Sequence, residues 1–243
     1  MAGRSRIYFA ADVHLGLKAN DPDERERRFA DWLKSLPREE TRALYLLGDI
    51  WDFWYEYRDV IPRIGTRVLA RLIDLVEAGV EVYFMPGNHD IWCYSYFESI
   101  GIRKIEQPYF LEFGGKTFLL GHGDALGGSS RSYKIMNRAF HNRFLQRCFS
   151  TLHPWLAFRF GLDWSRKNRR RHNGYCFRGE QEPIYKYAVQ ECAGRKVDYC
   201  IFGHYHNQVD MTLPGGERFV IVKDWIDGGE HYACFDDGGL TVR

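Results

Sequence analysis

Five apolar runs in this chain have the length and composition of buried β-strands, and each ends in residues that bind metal ions. The runs are Ile7–Ala11, Ala43–Leu47, Val80–Met85, Thr117–Leu120 and Tyr199–Phe202. They are followed, in the same order, by Asp12-Val-His14, Gly48-Asp49, Gly87-Asn88-His89-Asp90, Gly121-His122-Gly123-Asp124 and Gly203-His204-Tyr205-His206. Because the carboxyl ends of parallel strands meet at one edge of a sheet, this order predicts a single metal site built there from distant segments.

The elements between these runs indicate an α/β fold. Helical spacing of apolar residues predicts helices over Asp23–Leu36 and Ile61–Ala78, which Pro37 and Gly79 respectively stop. Alternation of strand and helix over the first 124 residues predicts a partly parallel sheet with right-handed crossovers. Residues 108–121 have the pattern of a hairpin.

The second half of the chain has a different pattern of predicted elements. An amphipathic helix is predicted over Arg131–Phe149, a less regular aromatic and arginine-rich stretch over 150–178, and a helix over Glu180–Cys192. Short β-like runs separated by Gly-rich turns then predict an antiparallel meander from Gln208 onward. We interpret residues 125–178 as a helical insertion within one domain that spans the whole chain (1–243).

The formal net charge of +2 conceals a strong asymmetry. Between Arg131 and Arg178 there are twelve Lys or Arg residues and one acid, Asp163, which gives +11 locally and −9 (2 − 11) elsewhere. A basic block of this density predicts an anionic partner such as phosphate, nucleic acid or a membrane surface.

Composition indicates a cytoplasmic protein. Six scattered cysteines without a CxxC pair predict reduced thiols rather than a disulfide framework. The N-terminus passes directly into the first strand, so no cleavable signal is expected. No apolar run approaches the ~20 residues needed to span a bilayer.

The residues at the strand ends form a metal-binding set. Residues two apart in an extended chain point to the same side, so Asp12-x-His14 and His204-x-His206 are each expected to present two ligands. With Asp49, Asn88 and His122 the set has seven ligands. Seven are too many for one tetrahedral zinc, and we predict two divalent ions that share Asp49. Mixed oxygen and imidazole donors favour Mn²⁺, Fe or Zn²⁺ over Mg²⁺, and Mn²⁺ is expected. Two ions ~3.5–4 Å apart form a site for phosphoester hydrolysis.

The order Asp-x-His, Gly-Asp, Gly-Asn-His-Asp, Gly-His and Gly-His-x-His resembles the signature of the calcineurin-like metallophosphoesterases over residues 12–206. The resemblance implies a four-layer α/β/β/α sandwich. It also implies one ion held by Asp12, His14, Asp49 and His206, and a second held by Asp49, Asn88, His122 and His204. His89 corresponds to the family's phosphate-contacting histidine and is the catalytic candidate, with Asn88 and His204 as further substrate contacts.

Three further acids near these runs have two interpretations each. Asp52 and Asp90 either orient His89 through a carboxylate–imidazole bond or serve as capping and turn residues. Asp124 either supports a metal ligand or only forms a turn after Gly123.

Within that family the chain is most similar to the UDP-2,3-diacylglucosamine pyrophosphatases of lipid A biosynthesis. The similarity rests on the short N-terminus before Asp12, on His122-Gly123-Asp124, and on the segments His153-Pro154-Trp155-Leu156 and Ser165-Arg166-Lys167-Asn168. It implies attack by metal-activated hydroxide on the α-phosphorus, with release of UMP and 2,3-diacylglucosamine 1-phosphate. Ser165 and Arg169 are then expected substrate contacts. Two positions differ from the best-known enzymes: His89 stands in place of an arginine, and Ser130 in place of an acidic residue.

In this interpretation the insertion sets the substrate. Its apolar helical faces are expected to form a lid with a slot for acyl chains, and its arginine run to bind a diphosphate or anionic head groups. The protein is then expected in the cytoplasm, peripheral on the cytoplasmic face of the inner membrane. No stable nucleic-acid or protein partner is predicted.

Three alternatives remain open. A phosphodiesterase or nuclease acting on nucleotides or nucleic acid would use the same ions, with the basic insertion along the backbone of the nucleic acid. A non-catalytic scaffold is disfavoured because all seven ligands and His89 are present. Lastly, the insertion is also compatible with a solvated basic face over an ordinary helical core.

Overall fold

The computed structural model describes residues 3–128, 131–172 and 175–243, and for residues 132 and 168–172 it describes the backbone alone. The strands are β1 (Arg6–Ala10), β2 (Thr41–Leu47), β3 (Glu81–Met85), β4 (Arg103–Lys104), β5 (Tyr109–Phe113), β6 (Lys116–Gly121), β7 (Tyr199–Phe202), β8 (Val209–Thr212), β9 (Arg218–Ile221), β10 (Ala233–Asp236) and β11 (Gly239–Val242). They form two sheets, with the orders β11-β10-β1-β2-β3-β4 and β5-β6-β7-β9-β8.

The strands at the centre of each sheet run parallel. In the first sheet β1, β2, β3 and β4 are parallel, and in the second sheet β6, β7 and β9 are. The predicted hairpin forms between β5 and β6. The parallel arrangement places the carboxyl ends of β1, β2, β3, β6 and β7 on one side of the molecule, which is where the predicted ligands follow.

The helices outside the insertion are α1 (Pro22–Ser35), α2 (Thr66–Glu77), the short α3 (Tyr96–Ser99) and α7 (Pro183–Gly194), with a 3₁₀ turn at Gly179–Gln181. Helix α1 begins where the Asp21 side chain accepts hydrogen bonds from the backbone N–H groups of Asp23 and Glu24. Helix α2 begins five residues later than predicted, because Gly65 precedes it in a left-handed conformation (φ 82°).

Three hydrophobic cores separate four layers. The first core, which includes Leu72, lies between the first sheet and helices α1 and α2. The second lies between the two sheets, where the rings of Phe9 and Phe118 are 5.9 Å apart. The third, which includes Ile184 of α7, covers the outer face of the second sheet. The predicted α/β/β/α sandwich is thus confirmed.

The segment predicted to be an insertion (125–178) contains more helix than the sequence indicated. The predicted single helix over Arg131–Phe149 is wrong, since α4 (Arg131–Phe140) and α5 (Arg143–Ser150) are separated at Asn142. The Asn142 side chain accepts hydrogen bonds from the N–H groups of Phe144 and Leu145 and so starts a new helix. The less regular stretch predicted over 150–178 is also wrong, because α6 (Pro154–His172) occupies most of it. No described helix is long and apolar enough to cross a membrane.

The C-terminal part is not one continuous meander. Strands β8 and β9 pair antiparallel in the second sheet, whereas β10 and β11 pair antiparallel in the first. The chain therefore crosses from one sheet to the other after β9. This crossing carries residues 222–232 past the edge where the predicted ligands lie.

Candidate metal centre

The structure brings the predicted ligands together at the carboxyl ends of the strands. Three groups of side chains have ligating atoms within 4.8 Å of one another, and they are Asp12, His14 and His206; His14, Asp49 and His89; and Asp49, His122 and His204. The Oδ2 atom of Asp49 is central, 3.4 Å from Nε2 of His122 and 3.8 Å from Nε2 of His14. Asn88 joins this set through Oδ1, which lies 3.3 Å from Nε2 of His122.

The backbone that presents these side chains is not extended. Asp12, His14, Asp49, His204 and His206 all have positive φ values, between 49° and 71°. The expectation that alternation along an extended strand aims each Asp-x-His and His-x-His pair is therefore wrong, because β1 ends at Ala10 and β7 ends at Phe202. Left-handed conformations of non-glycine residues cost roughly 1–3 kcal/mol each and cluster at functional sites.

Two glycines let the ligand-bearing turns approach one another. A Cβ atom at Gly48 would lie 2.5 Å from Nδ1 of His122, and one at Gly203 would lie 2.6 Å from Oδ2 of Asp12. Gly48 also has φ +88°, a conformation that favours glycine. These glycines explain why Gly precedes Asp49 and His204 in the sequence.

Three metal-facing imidazoles, those of His14, His122 and His206, have their other nitrogen fixed by a hydrogen bond. Nδ1 of His122 donates to the carbonyl of Leu47 at 2.9 Å, and Nδ1 of His14 donates to the carboxylate of Asp52 at 3.1 Å. Nδ1 of His206 donates to the carboxylate of Asp224 at 2.9 Å. These bonds leave the lone pair of Nε2 pointing at the centre, as in most metal-binding histidines.

Asp224 was not recognised from the sequence. It follows β9 at the same sheet edge, in Val222-Lys223-Asp224, so the rule that located the other acids also applies to it. The apolar run of β9 is short and lies among Gly-rich turns, so its sequence alone does not identify it as another parallel strand.

The three additional acids have distinct roles. The Asp52 carboxylate contacts His14, while His89 donates through Nδ1 to the Asp52 carbonyl oxygen at 2.9 Å. Asp90 is a turn residue, whose carboxylate accepts from the N–H groups of Gly87, Asp49, Ile50 and Trp51. The Asp124 carboxylate accepts hydrogen bonds from Gln107 and from the hydroxyl of Tyr133.

The electrostatics of the buried cluster favour a bound cation. Burial alone would raise the pKa of Asp49, but His122 and His89 hold it well below its usual value. Burial, together with the neighbouring His122, lowers the pKa of His204 to about 4. Asp12 Oδ1 and His14 Nε2 are buried and have no hydrogen-bond partner among the described residues. Such atoms are costly to bury unless an ion satisfies them, so the donor set fits divalent metal ions.

A cavity of about 90 Å³ opens beside this centre. His89, Asn88 and Asp52 line one side, while residues of α4 and α6, including Phe140 and Trp164, line the other. Ser165 also lines this cavity, and its contact with substrate stays a prediction. The side chain of Arg169, and all of Ser130, lie outside the described residues.

These features define a class of protein, the metal-dependent hydrolases of phosphate esters or anhydrides. The chain belongs to the calcineurin-like phosphoesterase family, whose model matches residues 5–208. The resemblance inferred from the strand ends is thus confirmed, and members of this family use divalent metal ions.

The chain is also similar to two UDP-2,3-diacylglucosamine hydrolases along nearly its full length. It is 39% identical to the UDP-2,3-diacylglucosamine hydrolase of Porphyromonas gingivalis, in an alignment that covers 99% of this chain and 97% of that protein. It is 30% identical to the UDP-2,3-diacylglucosamine hydrolase of Chromobacterium violaceum, with 96% of both chains covered. A dimetal phosphatase from Danio rerio has the same fold, with a TM-score of 0.51 at 16% identity over 96% of this chain and 92% of that one.

Proposed function

We propose that this protein hydrolyses UDP-2,3-diacylglucosamine to UMP and 2,3-diacylglucosamine 1-phosphate with two divalent metal ions, Mn²⁺ being preferred. The observation that carries the proposal is the continuity of the metal-ligand cluster with a cavity lined by aromatic side chains. Such a site can hold a phosphoric anhydride at one end and an apolar group at the other. Full-length similarity to two proteins named as hydrolases of this lipid supports the same substrate.

The predicted ligands divide between two ions in this proposal. Asp12, His14 and His206 would hold one, and Asn88, His122 and His204 the other, with Asp49 shared because its Oδ2 lies between the groups. When bound, such ions acidify a water molecule and neutralise charge on the phosphoryl oxygens.

His89 is the proposed catalytic residue. Its side chain is 18% exposed at the cavity, and its Nε2 lies 3.9 Å from Oδ2 of Asp49. Because Nδ1 donates to the carbonyl of Asp52, only Nε2 is available to a phosphoryl oxygen or to the leaving oxygen. Asn88 and His204 are proposed to contact the same phosphate.

The insertion is proposed to act as the lid and to bind the acyl chains. Rings of the body and the insertion pack together around the cavity. The ring centroids of Phe53 and Phe158 are 5.5 Å apart, and those of Trp92 and Phe140 are 5.2 Å apart. Apolar lining of this kind matches the acyl part of the lipid and offers nothing to a nucleic-acid backbone, which favours the lipid over the nuclease alternative.

The outer face of the insertion is proposed to rest on the cytoplasmic face of the inner membrane. Nine of the eleven large hydrophobic side chains that are exposed among the described residues lie between Ile135 and Tyr175, including Phe144 at 72%. Exposed cations such as Arg143 and Arg147 accompany them on α5. Apolar residues next to cations are typical of surfaces that bind anionic lipid.

The substrate assignment is tested by incubating Mn²⁺-loaded protein with UDP-2,3-diacylglucosamine in detergent and measuring UMP. Asp49→Ala serves as the blank, because it removes the shared ligand. We expect UMP from the wild type alone. Turnover of bis-p-nitrophenyl phosphate without any UMP would retain the hydrolase and contradict the lipid substrate.

A further inference from the structure

A buried hydroxyl of the insertion reaches the candidate metal centre. Ser165 on α6 is 2% exposed, and its Oγ donates to Oδ1 of Asp52 at 2.8 Å. The same oxygen accepts the hydrogen bond from Nδ1 of His14. A single carboxylate oxygen therefore joins the insertion to a predicted metal ligand.

This carboxylate is well placed to control His14. Asp52 is 1% exposed, and its Oδ1 accepts hydrogen bonds from both Nδ1 of His14 and Oγ of Ser165. Because Oδ1 of Asp52 is the acceptor, Nδ1 of His14 carries the proton and Nε2 faces the centre. Without the Ser165 bond, one fewer contact holds the Asp52 carboxylate against His14.

A second hydroxyl of the insertion, that of Tyr133, is linked by hydrogen bonds to the turn that carries His122. Tyr133 on α4 donates to Oδ2 of Asp124, whose Oδ1 accepts from Gln107 at 2.5 Å. Gln107 in turn accepts from the N–H of Gly123 at 2.9 Å, which follows His122 directly. The turn that carries His122 is thus held partly from the insertion.

We propose that Ser165 and Tyr133 are positioning residues, through which docking of α6 and α4 sets the metal affinity of the centre. The insertion is then part of the metal site and not only a cover for substrate. The inference rests on divalent ions binding at the candidate centre and is independent of which phosphate compound is hydrolysed.

Other bonds between the body and the insertion provide a matched control. The hydroxyl of Tyr57 donates to the carbonyl of Leu152 at 3.2 Å. This bond also attaches the insertion to the body, but neither residue contacts a predicted ligand in the structure. Tyr57→Phe therefore removes one such bond without reaching the centre.

The test measures Mn²⁺ affinity by calorimetry on chelator-treated wild type, Ser165→Ala, Tyr133→Phe, the double variant and Tyr57→Phe. Thermal unfolding without metal is recorded for each. Partners bonded directly to a metal ligand typically change affinity ~10–100-fold, so these more distant hydroxyls are expected to weaken binding about 3- to 10-fold. Tyr57→Phe is expected to bind Mn²⁺ like the wild type, and the unfolding curves are expected to show that every variant is folded at the temperature of the titration.

Two results would overturn the proposal. Unchanged Mn²⁺ affinity in both Ser165→Ala and Tyr133→Phe would show that neither hydroxyl positions a metal ligand. An equal loss of affinity in Tyr57→Phe would show that general packing of the insertion, and not these two hydroxyls, is responsible. Because metal binding is measured without lipid, failure of the UMP assay would leave this test intact.

Discussion

The carboxylate of Asp224 offers a direct test of how the metal-facing histidines are oriented. In Asp224→Asn the amide can present N–H to Nδ1 of His206, which favours the tautomer whose proton lies on Nε2 and points at the centre. Outer partners of this kind change metal affinity ~10–100-fold, or about 1.4–2.7 kcal/mol. The Asp224 side chain is 11% exposed and that of His206 is 32% exposed. Because solvent weakens the effect there, we expect the lower end, about 10-fold.

The same substitution at Asp52 should weaken Mn²⁺ binding more than Asp224→Asn does. Its carboxylate is 1% exposed and its partner His14 is fully buried. We expect about 100-fold weaker Mn²⁺ binding in Asp52→Asn, near the upper end of the range for such partners. The larger loss of Mn²⁺ affinity expected for Asp52→Asn follows from its deeper burial alone.

Affinity is measured by competition with a fluorescent metal indicator. Asp227→Asn is the control, because Asp227 forms a carboxylate–imidazole pair with His231 at 2.9 Å, in the same loop as Asp224 but outside the three groups of candidate ligands. Wild-type affinity in Asp224→Asn, or an equal loss in Asp227→Asn, would refute the reasoning.

Three further outcomes are expected. Removal of metal by a chelator should lower the unfolding temperature by about 5–10 °C. Saturation at 100 times Kd adds ~2.7 kcal/mol to the stability, and the unfolding temperature of a chain of this size shifts by ~2–4 °C per kcal/mol. An unfolding temperature that does not rise when Mn²⁺ is added back would contradict this. Asp90→Asn should destabilise the metal-free protein by roughly 1–3 kcal/mol in urea unfolding, because the amide replaces an oxygen that accepts from buried N–H groups; an unchanged midpoint would be inconsistent with its turn role. Phe144→Glu should weaken binding to anionic vesicles about 10-fold, by removing exposed apolar area and adding repulsion, while turnover of soluble bis-p-nitrophenyl phosphate stays constant; equal vesicle binding would argue against the proposed membrane face.

The sequence alone predicted the fold class and the residues that converge, because both follow from where apolar runs end. Asp49 and His122 could be placed at one sheet edge without coordinates, since parallel strands share that edge. The conformation at that edge was not predictable by the same reasoning. The positive φ values of Asp12 and His204 depend on contacts between turns that are distant in sequence.

The insertion was harder to predict for a different reason. Helical periodicity across Arg131–Phe149 continues through Asn142, and only the capping bonds of that side chain divide α4 from α5. In α6, apolar residues occur on more than one side, because part of the helix packs on Phe53 while Trp155 remains 59% exposed. A pattern of this kind lacks the single apolar stripe that identifies a helix from sequence.

The proposed reaction is attack of water on the α-phosphorus of UDP-2,3-diacylglucosamine at this metal centre. The most direct measurement is a reaction with Mn²⁺-loaded protein in ¹⁸O-labelled water, with mass spectrometry of both products. Attack at the α-phosphorus would place one ¹⁸O atom in UMP and none in the sugar 1-phosphate. Label in the sugar 1-phosphate would contradict the proposed site of attack, and the absence of both products would contradict the proposed substrate.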